Sequence, residues 1–592
     1  MSRKIINHPD CVINEMMQGF VEAFGKYYEK HPQVNAVLSR YRRRDKVALV
    51  VGGGSGHEPM FSGFVGEGLA DGAACGNIFA SPDPNTVYQT AKAVSQGKGV
   101  LFVYGCYAGD NLNFDMGEEF LKEAGIETRH VRVWDDVASA PRDRIEDRRG
   151  IAGDVFVIKI AGGACDAGMN LEEAARITEK ARDNTYSIGI ATAPAQLPGV
   201  EKPIFELGEG EIEYGMGIHG ERGILRTSWQ EADILTEKMY VQLMENAEIK
   251  AGEEVCVLIN GLGSTTLLEL SIIYRKVKEL LDKDQIIVYD SDLNSYCTSQ
   301  EMGGFSISFL RLDNELKKYY DMPCRSPFYT RGVWKEEKER LVSTLKESER
   351  YTVSGGEKEL LREKTSEIGG TDKHTVKSEE NITGKLSARA ARNMLLYVAE
   401  KMIGEKDYLT EVDNAVGDGD HGIGMAGGME KVKQVLSAIS EPRSVCEVFD
   451  KAGKAMLFSM GGASGVIFGS MFYGGVSEMK EKEALSAADF AKAFRKSLQT
   501  IKERGKAEVG DKTMVDALEP AAEAMEKAAD RGFIEMLKAA EAAAKQGMEN
   551  TKHYRAKFGR AKSLMDRAIG YQDAGATSVW LILQGMREFV EG

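Results

Sequence analysis

Residues 410–424 read T-E-V-D-N-A-V-G-D-G-D-H-G-I-G, and they bring three carboxylates, Asp413, Asp418 and Asp420, into eight residues. Gly417, Gly419 and Gly422 disfavour a helix here, so the acids are expected on a loop that folds them around one centre. Carboxylate oxygens suit a hard cation, and a site with few protein ligands and room for phosphate oxygens suits Mg2+. An EF-hand is excluded: counted from Asp418, position five is Gly422 and position twelve is Met429, where such loops need oxygen ligands. A solvated acidic turn is the bland alternative.

C-terminal to this stretch, apolar residues recur at helical spacing over 488–504, 514–530, 533–549 and 576–590, and the run 386–403 precedes it. The domain from about 385 to 592 is therefore expected to be all-helical. Residues 1–334 read differently. Short β-branched runs at 46–51, 100–104, 131–134, 155–160, 187–191, 255–260, 286–290 and 305–312 predict strands alternating with helices, an α/β domain around buried sheets. Between them, 335–384 is rich in Lys, Glu, Ser and Gly and reads as a polar tether.

The chain has 592 residues, 43% of them apolar, which calls for more than one core. No apolar run is long enough to span a bilayer and no basic n-region opens the chain, so a cytoplasmic protein is expected. Eight cysteines stand singly without a CxxC pair, which argues against a disulfide framework and a zinc site. A net charge of −15 argues against nucleic-acid and anionic-membrane partners.

Within the α/β region, G-G-G-S-G-H-E-P (52–59) follows a predicted strand. It is neither a Walker A loop nor GxGxxG, yet its amides can cradle a polar ligand with His57 as a hydrogen-bonding or acid/base group. His219 stands among glycines in G-M-G-I-H-G-E (215–221), which clear space around the ring, and an imidazole nitrogen can add to a carbonyl. Asp110, in Y-A-G-D-N-L-N-F (107–114), follows a strand end, where ligands gather. It can accept a hydroxyl proton or merely cap a helix. In the helical region, G-G-A-S-G (461–465) opens an apolar helix whose amides can face phosphate, and R-G-K-A-E-V-G-D-K-T-M (504–514) and D-A-G-A-T-S (573–578) precede helices with Asp511 and Asp573 as candidate caps. Together these loops suggest a nucleotide–magnesium pocket at one end of a helix bundle.

The ordered set GGGSGHEP, FASP, YAGDxxNF, RRGIAG, KIAG, GMGIHGE, NGLGST, GDGDHG, GGASG, RGKAEVGDKTM, GRA and DAGATS resembles the single-chain ATP-dependent dihydroxyacetone kinases over nearly the whole chain. The resemblance implies an α/β domain for a short ketose and a helical barrel carrying ATP on Mg2+. It implies that His219 holds the ketone carbon as a hemiaminal, that Gly54, Ser55, Gly56 and His57 contact the substrate, and that Asp110 is the general base. It places Mg2+ on Asp413, Asp418 and Asp420. The nucleotide is implied at His421, Gly422, Ile423, Gly424, Ala463, Ser464, Gly505, Met514, Arg560, Asp573, Ala574 and Gly575. A homodimer is expected with it. A phosphotransferase-relay subunit, an FAD-cyclising lyase and a ketose sensor are the alternatives.

Two departures stand out. Where many members read V-K-N-Y-T-G-D, this chain has Gly105, Cys106 and Ala108 in place of Lys, Asn and Thr, which points to a larger ketose such as a tetrulose. R-A-K-S-L-M-D-R (560–567) stands where the family has R-A-S-Y-L-G-E-R.

Overall fold

The computed structural model describes residues 4–332, 384–559 and 568–592, apart from 42, 44, 201, 418, 420 and 481. The predicted tether and part of R-A-K-S-L-M-D-R lie outside the described residues.

Two six-stranded sheets build the α/β domain. The first is ordered β1 (Tyr28–Lys30), β2 (Ala36–Ser39), β4 (Gly72–Ile78), β3 (Ala48–Ser55), β5 (Val100–Gly105) and β6 (Thr128–Val133). Its strands β4, β3, β5 and β6 run parallel. Every residue of β5 is buried, as a parallel strand covered on both faces requires. From β3 the chain passes to β4 on one side and then to β5 on the other, so a crevice opens beyond the carboxyl ends of β3 and β5. The second sheet is ordered β11 (Ile287–Asn294), β10 (Glu254–Gly261), β12 (Gly303–Leu312), β7 (Thr185–Ala193), β8 (Glu211–Tyr214) and β9 (Leu225–Ser228). It is antiparallel except between β10 and β11.

One predicted strand is a helix. Residues 155–160 lie in Asp154–Asp166, which is buried from Asp154 to Cys165. An apolar run hides its period when the whole circumference is covered, so a buried helix and a buried strand read alike. Strands β1, β2, β4, β8 and β9 were not expected, because they are short or interrupted by Gly and charge.

The C-terminal domain is mostly helical. Its helices Ala388–Gly404, His421–Ser437, Val445–Leu457, Gly462–Tyr473, Ala487–Gly505, Val515–Ala528, Phe533–Asn550 and Ala574–Glu591 enclose one continuous apolar core. Strands do not vanish entirely: Lys385–Ser387 pairs with Ala484–Ser486, with Leu386 opposite Leu485 and both fully buried. The expectation that 410–424 is all loop is corrected at both ends. Asp413 lies in the helix Lys406–Asn414, and Gly422 lies in His421–Ser437. A side chain at Gly422 would strike the Lys406 carbonyl oxygen at 2.3 Å, so this glycine serves close helix packing rather than helix breaking.

The domains touch at the helix Ala108–Glu123, which packs on Gly462–Tyr473. Met116 joins Leu457 and Val466 in a small apolar cluster, and Phe120 meets Phe458 edge to face. Arg504 bonds Ser470 in its own domain and Glu119 across the interface, at 3.1 and 2.9 Å.

Candidate active site

His57 follows β3, where Gly56 at φ 98° turns the chain. Its Nδ1 lies 2.7 Å from the Thr298 carbonyl oxygen, which can only accept, so Nδ1 carries the proton and Nε2 is the acceptor. That Nε2 is 3.0 Å from Nε2 of His219, which therefore donates. On the other side of the ring, His219 Nδ1 donates to Glu221 Oε1 at 3.0 Å. Burial opposes ionisation of Glu221, yet His219 and Arg149 hold its carboxyl well below the usual carboxylate range. Burial, with the neighbouring His219, lowers His57 to about 3, so this ring is neutral. The relay continues through Arg149 to buried Asp136 at 2.7 Å. Phe79 and Tyr107 wall the His219 ring at centroid distances of 5.3 and 4.8 Å.

Asp110 sits in the first turn of Ala108–Glu123, just past β5. It is 8% exposed and its Oδ1 has no partner. Burial raises its carboxyl to about 6, against the Ser81 hydroxyl bond and the His219 charge. Such a group is poised to take a proton near neutral pH. The Ser81 carbonyl in turn accepts from the Gly462 amide at 3.4 Å, and Asn113 donates to the Gly462 carbonyl at 3.2 Å. The glycine loop that opens Gly462–Tyr473 thus rests against the segment carrying Asp110.

Helix N-termini gather at the same end of the helical domain. Ala463 and Ser464 lie in the first turn of Gly462–Tyr473, and His421, Gly422, Ile423 and Gly424 in that of His421–Ser437. Ala574 and Gly575 open Ala574–Glu591, capped by Asp573 through the Ala576 amide at 2.7 Å. His421 ties them together: Nε2 lies 2.8 Å from Ser578 Oγ, and its ring faces Phe468 at 5.8 Å. Three helix starts that converge in this way make a candidate anion site through their first-turn amides and dipoles. Met514 is buried beside Gly575, and Gly505 ends Ala487–Gly505 near Ile467.

Two domain models match this architecture, Dak1 over residues 18–328 and DAK2 over 415–588.

The chain belongs to the single-chain dihydroxyacetone kinase family.

It is 33% identical over 590 residues to a D-erythrulose kinase of Mycolicibacterium smegmatis, covering 99% of this chain and 98% of that one. It is 32% identical over 589 residues to an L-erythrulose kinase of Pectobacterium atrosepticum, covering 98% and 95%. The solved dihydroxyacetone kinase from C. freundii in complex with AMP-PNP and Mg2+ is 27% identical, with a TM-score of 0.52 and coverage of 99% and 100%. This chain is accordingly a kinase with an α/β domain and a mostly helical domain.

The structure puts His57 and His219 of this kinase in contact, with Asp110 close enough to be acted on by the His219 charge. Ser55 and Gly56 are turned to other duties, since the Ser55 hydroxyl donates to the Gly76 carbonyl at 2.7 Å and the Gly56 amide to Glu58 at 3.0 Å. A side chain at Gly54 would strike the Ala80 amide at 2.8 Å, so Gly54 lets the 79–81 segment approach. Asp511 caps no helix; it accepts from the Glu508 amide and pairs with Lys557. The glycine beside His219 also does something unexpected. A side chain at Gly217 would collide with Glu221 and Arg149, so the space serves the carboxylate relay rather than the ring. Glu221, Arg149 and Tyr107 were missed, although each lies inside a quoted motif.

Asp418, Asp420 and Arg560 lie outside the described residues. Among those described, no group of three metal-ligating side chains is assembled. The donor chemistry nevertheless fits a hard cation. Asp413 accepts from the Gly419 and His421 amides at 2.9 and 3.3 Å. Asp573 is raised to about 7 by burial, with Asp516 and Asp413 adding like charge, against the Ala576 amide bond and the charge of Lys512, whose ammonium donates to the Thr551 and Tyr571 carbonyls. A half-buried acid whose pKa is raised by neighbouring acids is what a bound divalent ion would relieve.

Proposed function

We propose that this kinase transfers the γ-phosphoryl group of ATP to the terminal hydroxyl of a short ketose, dihydroxyacetone or a tetrulose such as erythrulose. The observation that carries this reading is the link Asp110–Ser81–Gly462, which sets a candidate base against a phosphate-type helix N-terminus.

In this reading His219 Nε2 adds to C2 of the ketose. The N–C bond forms, the carbonyl π pair moves to oxygen, and the proton leaving Nε2 reaches that oxygen by way of His57. The alkylated ring keeps its Nδ1–H on Glu221, whose carboxylate neutralises it. Glycerol has no carbonyl to be held in this way. The terminal hydroxyl oxygen then attacks the γ-phosphorus as its proton passes to Asp110, and the bond to the departing ADP breaks. The helix starts at His421, Gly462 and Ala574 supply amides for the phosphates. Asp413, Asp418 and Asp420 would hold Mg2+, which supplies charge neutralisation when bound. Residues 1–334 and 385–592 are taken as the two functional units, joined by 335–384. A cytoplasmic homodimer is expected from the family resemblance, and the solution mass by light scattering tests it.

ADP release screened with dihydroxyacetone, both erythruloses, glyceraldehyde and glycerol tests the function. Release with ketoses and not with glycerol is expected. Ketose-independent turnover of FAD without any ketose-dependent release would replace this reading by the lyase.

A further inference from the structure

The helix Asp154–Asp166 begins with an acid that the mechanism above does not use. Asp154 is 3% exposed, and its Oδ1 is buried without a hydrogen-bond partner. It makes no cap, since the start of its helix has no side-chain bond. Buried polar atoms are almost always satisfied, so an orphaned carboxyl beside a substrate crevice calls for a ligand to complete it.

Its position says which part of the ligand. A methyl group placed on Gly105 would stand 3.5 Å from Oδ2 of Asp154 and 3.3 Å from the Tyr107 ring. Tyr107 packs against His219 and donates to the Gly150 carbonyl at 3.0 Å, while a methyl group on Gly150 would stand 3.2 Å from Asp154 Oδ1. Asp154 therefore lies behind Gly105, along the wall joining the carbonyl anchor His219 to the base Asp110. Burial first, then the charges of Asp135 and Asp110, hold its carboxyl well above the usual carboxylate range.

A three-carbon ketose held at C2 by His219, with its neighbouring hydroxyl at Asp110, has no group between the two anchors. A four-carbon ketose held at C2 with its C4 hydroxyl at Asp110 has one, the secondary hydroxyl on C3. We propose that Asp154 is a substrate-selecting residue whose carboxyl, turned toward Gly105 through Oδ2, hydrogen-bonds the C3 hydroxyl of a tetrulose. This rests on the ketose-kinase reading. Contacts fixed at C2, C3 and C4 together also select one configuration at C3.

The test compares kcat/KM for the preferred erythrulose with that for 1,4-dihydroxybutan-2-one, the same chain without the C3 hydroxyl, in wild type, Asp154→Ala and Asp154→Asn. Wild type should prefer erythrulose by about tenfold or more, mostly through KM. Alanine should collapse that ratio toward one, and asparagine, which donates and accepts, should restore part of it. The alanine variant should melt no lower than wild type, because it removes an unsatisfied buried acid. An equal loss on both substrates, or a wild-type enzyme indifferent to the C3 hydroxyl, would overturn the assignment while leaving the kinase in place. Turnover of no ketose at all would instead overturn the kinase reading and this inference with it.

Discussion

The two ends of the site are built on opposite plans. At the end proposed for the ketose, charge is balanced inside the protein: His219, Glu221, Arg149 and Asp136 form one partly buried relay of alternating groups. At the end proposed for the nucleotide, burial and the neighbouring Asp516 and Asp413 push the Asp573 carboxyl up to about 7 against the Lys512 charge, and the Lys512 ammonium donates to a backbone carbonyl. The first end is preorganised by side chains and should work on a carbonyl without help. The second is preorganised by backbone amides and completed by what it binds. A relay of paired side chains fixes geometry in advance, whereas carboxylates gathered in one loop are completed by a bound cation.

The sharpest way to break this contrast is at Asp110, where the two ends meet. Asp110→Asn should lower kcat by roughly 10²–10⁴-fold, the range for a lost general base, with ketose still bound. In wild type, kcat/KM should fall tenfold per pH unit below about 6, the value to which burial raises this acid. The variant's residual rate should lack that limb. Folding raises this pKa, so the folded state holds more protons and stability falls as pH rises from the ordinary carboxylate range through about 6. The Asn variant should therefore melt higher than wild type at pH 8, and an unchanged rate would remove Asp110 from the chemistry.

A second test isolates the ketose end. His219→Ala should cost on the order of 10²-fold in kcat/KM through lost positioning and should relax discrimination against glycerol. Intact mass should show a ketose adduct on wild type, with or without magnesium, and none on the variant. An adduct that needs magnesium would deny the independence of the two ends.

The nucleotide end responds differently. Asp413→Asn should raise the Mg2+ concentration for half-maximal rate by about 10–100-fold and leave the ketose adduct intact. Normal magnesium dependence would show that Asp413 only ties down the Gly419 and His421 amides.

The smallest effect concerns the contact between the ends. Glu119 is half-exposed, so Arg504→Ala should cost about 0.2–1 kcal/mol, a few-fold in kcat/KM that shrinks as salt is added. A loss that persists at high salt would assign Arg504 to packing with Ser470 and Met116 rather than to the ion pair.

By itself the sequence determined what short-range chemistry controls. The β-branched runs of β3 and β5 and the helical periods after 385 announced an α/β part and a helical part. The motif order announced the family, and the residues carrying transferable protons stood out as His57, His219 and Asp110. Local pattern ended where burial or pairing came from distant parts of the chain. Residues 155–160 form a helix whose whole circumference is covered, which erases the period that would have told helix from strand. Gly217 faces Arg149, sixty-eight positions away in the chain, so the relay through Glu221 was invisible although every member of it was in view. Asp154 became a candidate for the same reason: only the fold sets the start of its helix behind Gly105 and leaves its Oδ1 without a partner. Spacing along the chain fixes which groups are available, and tertiary packing decides which of them are left unsatisfied and therefore free to act.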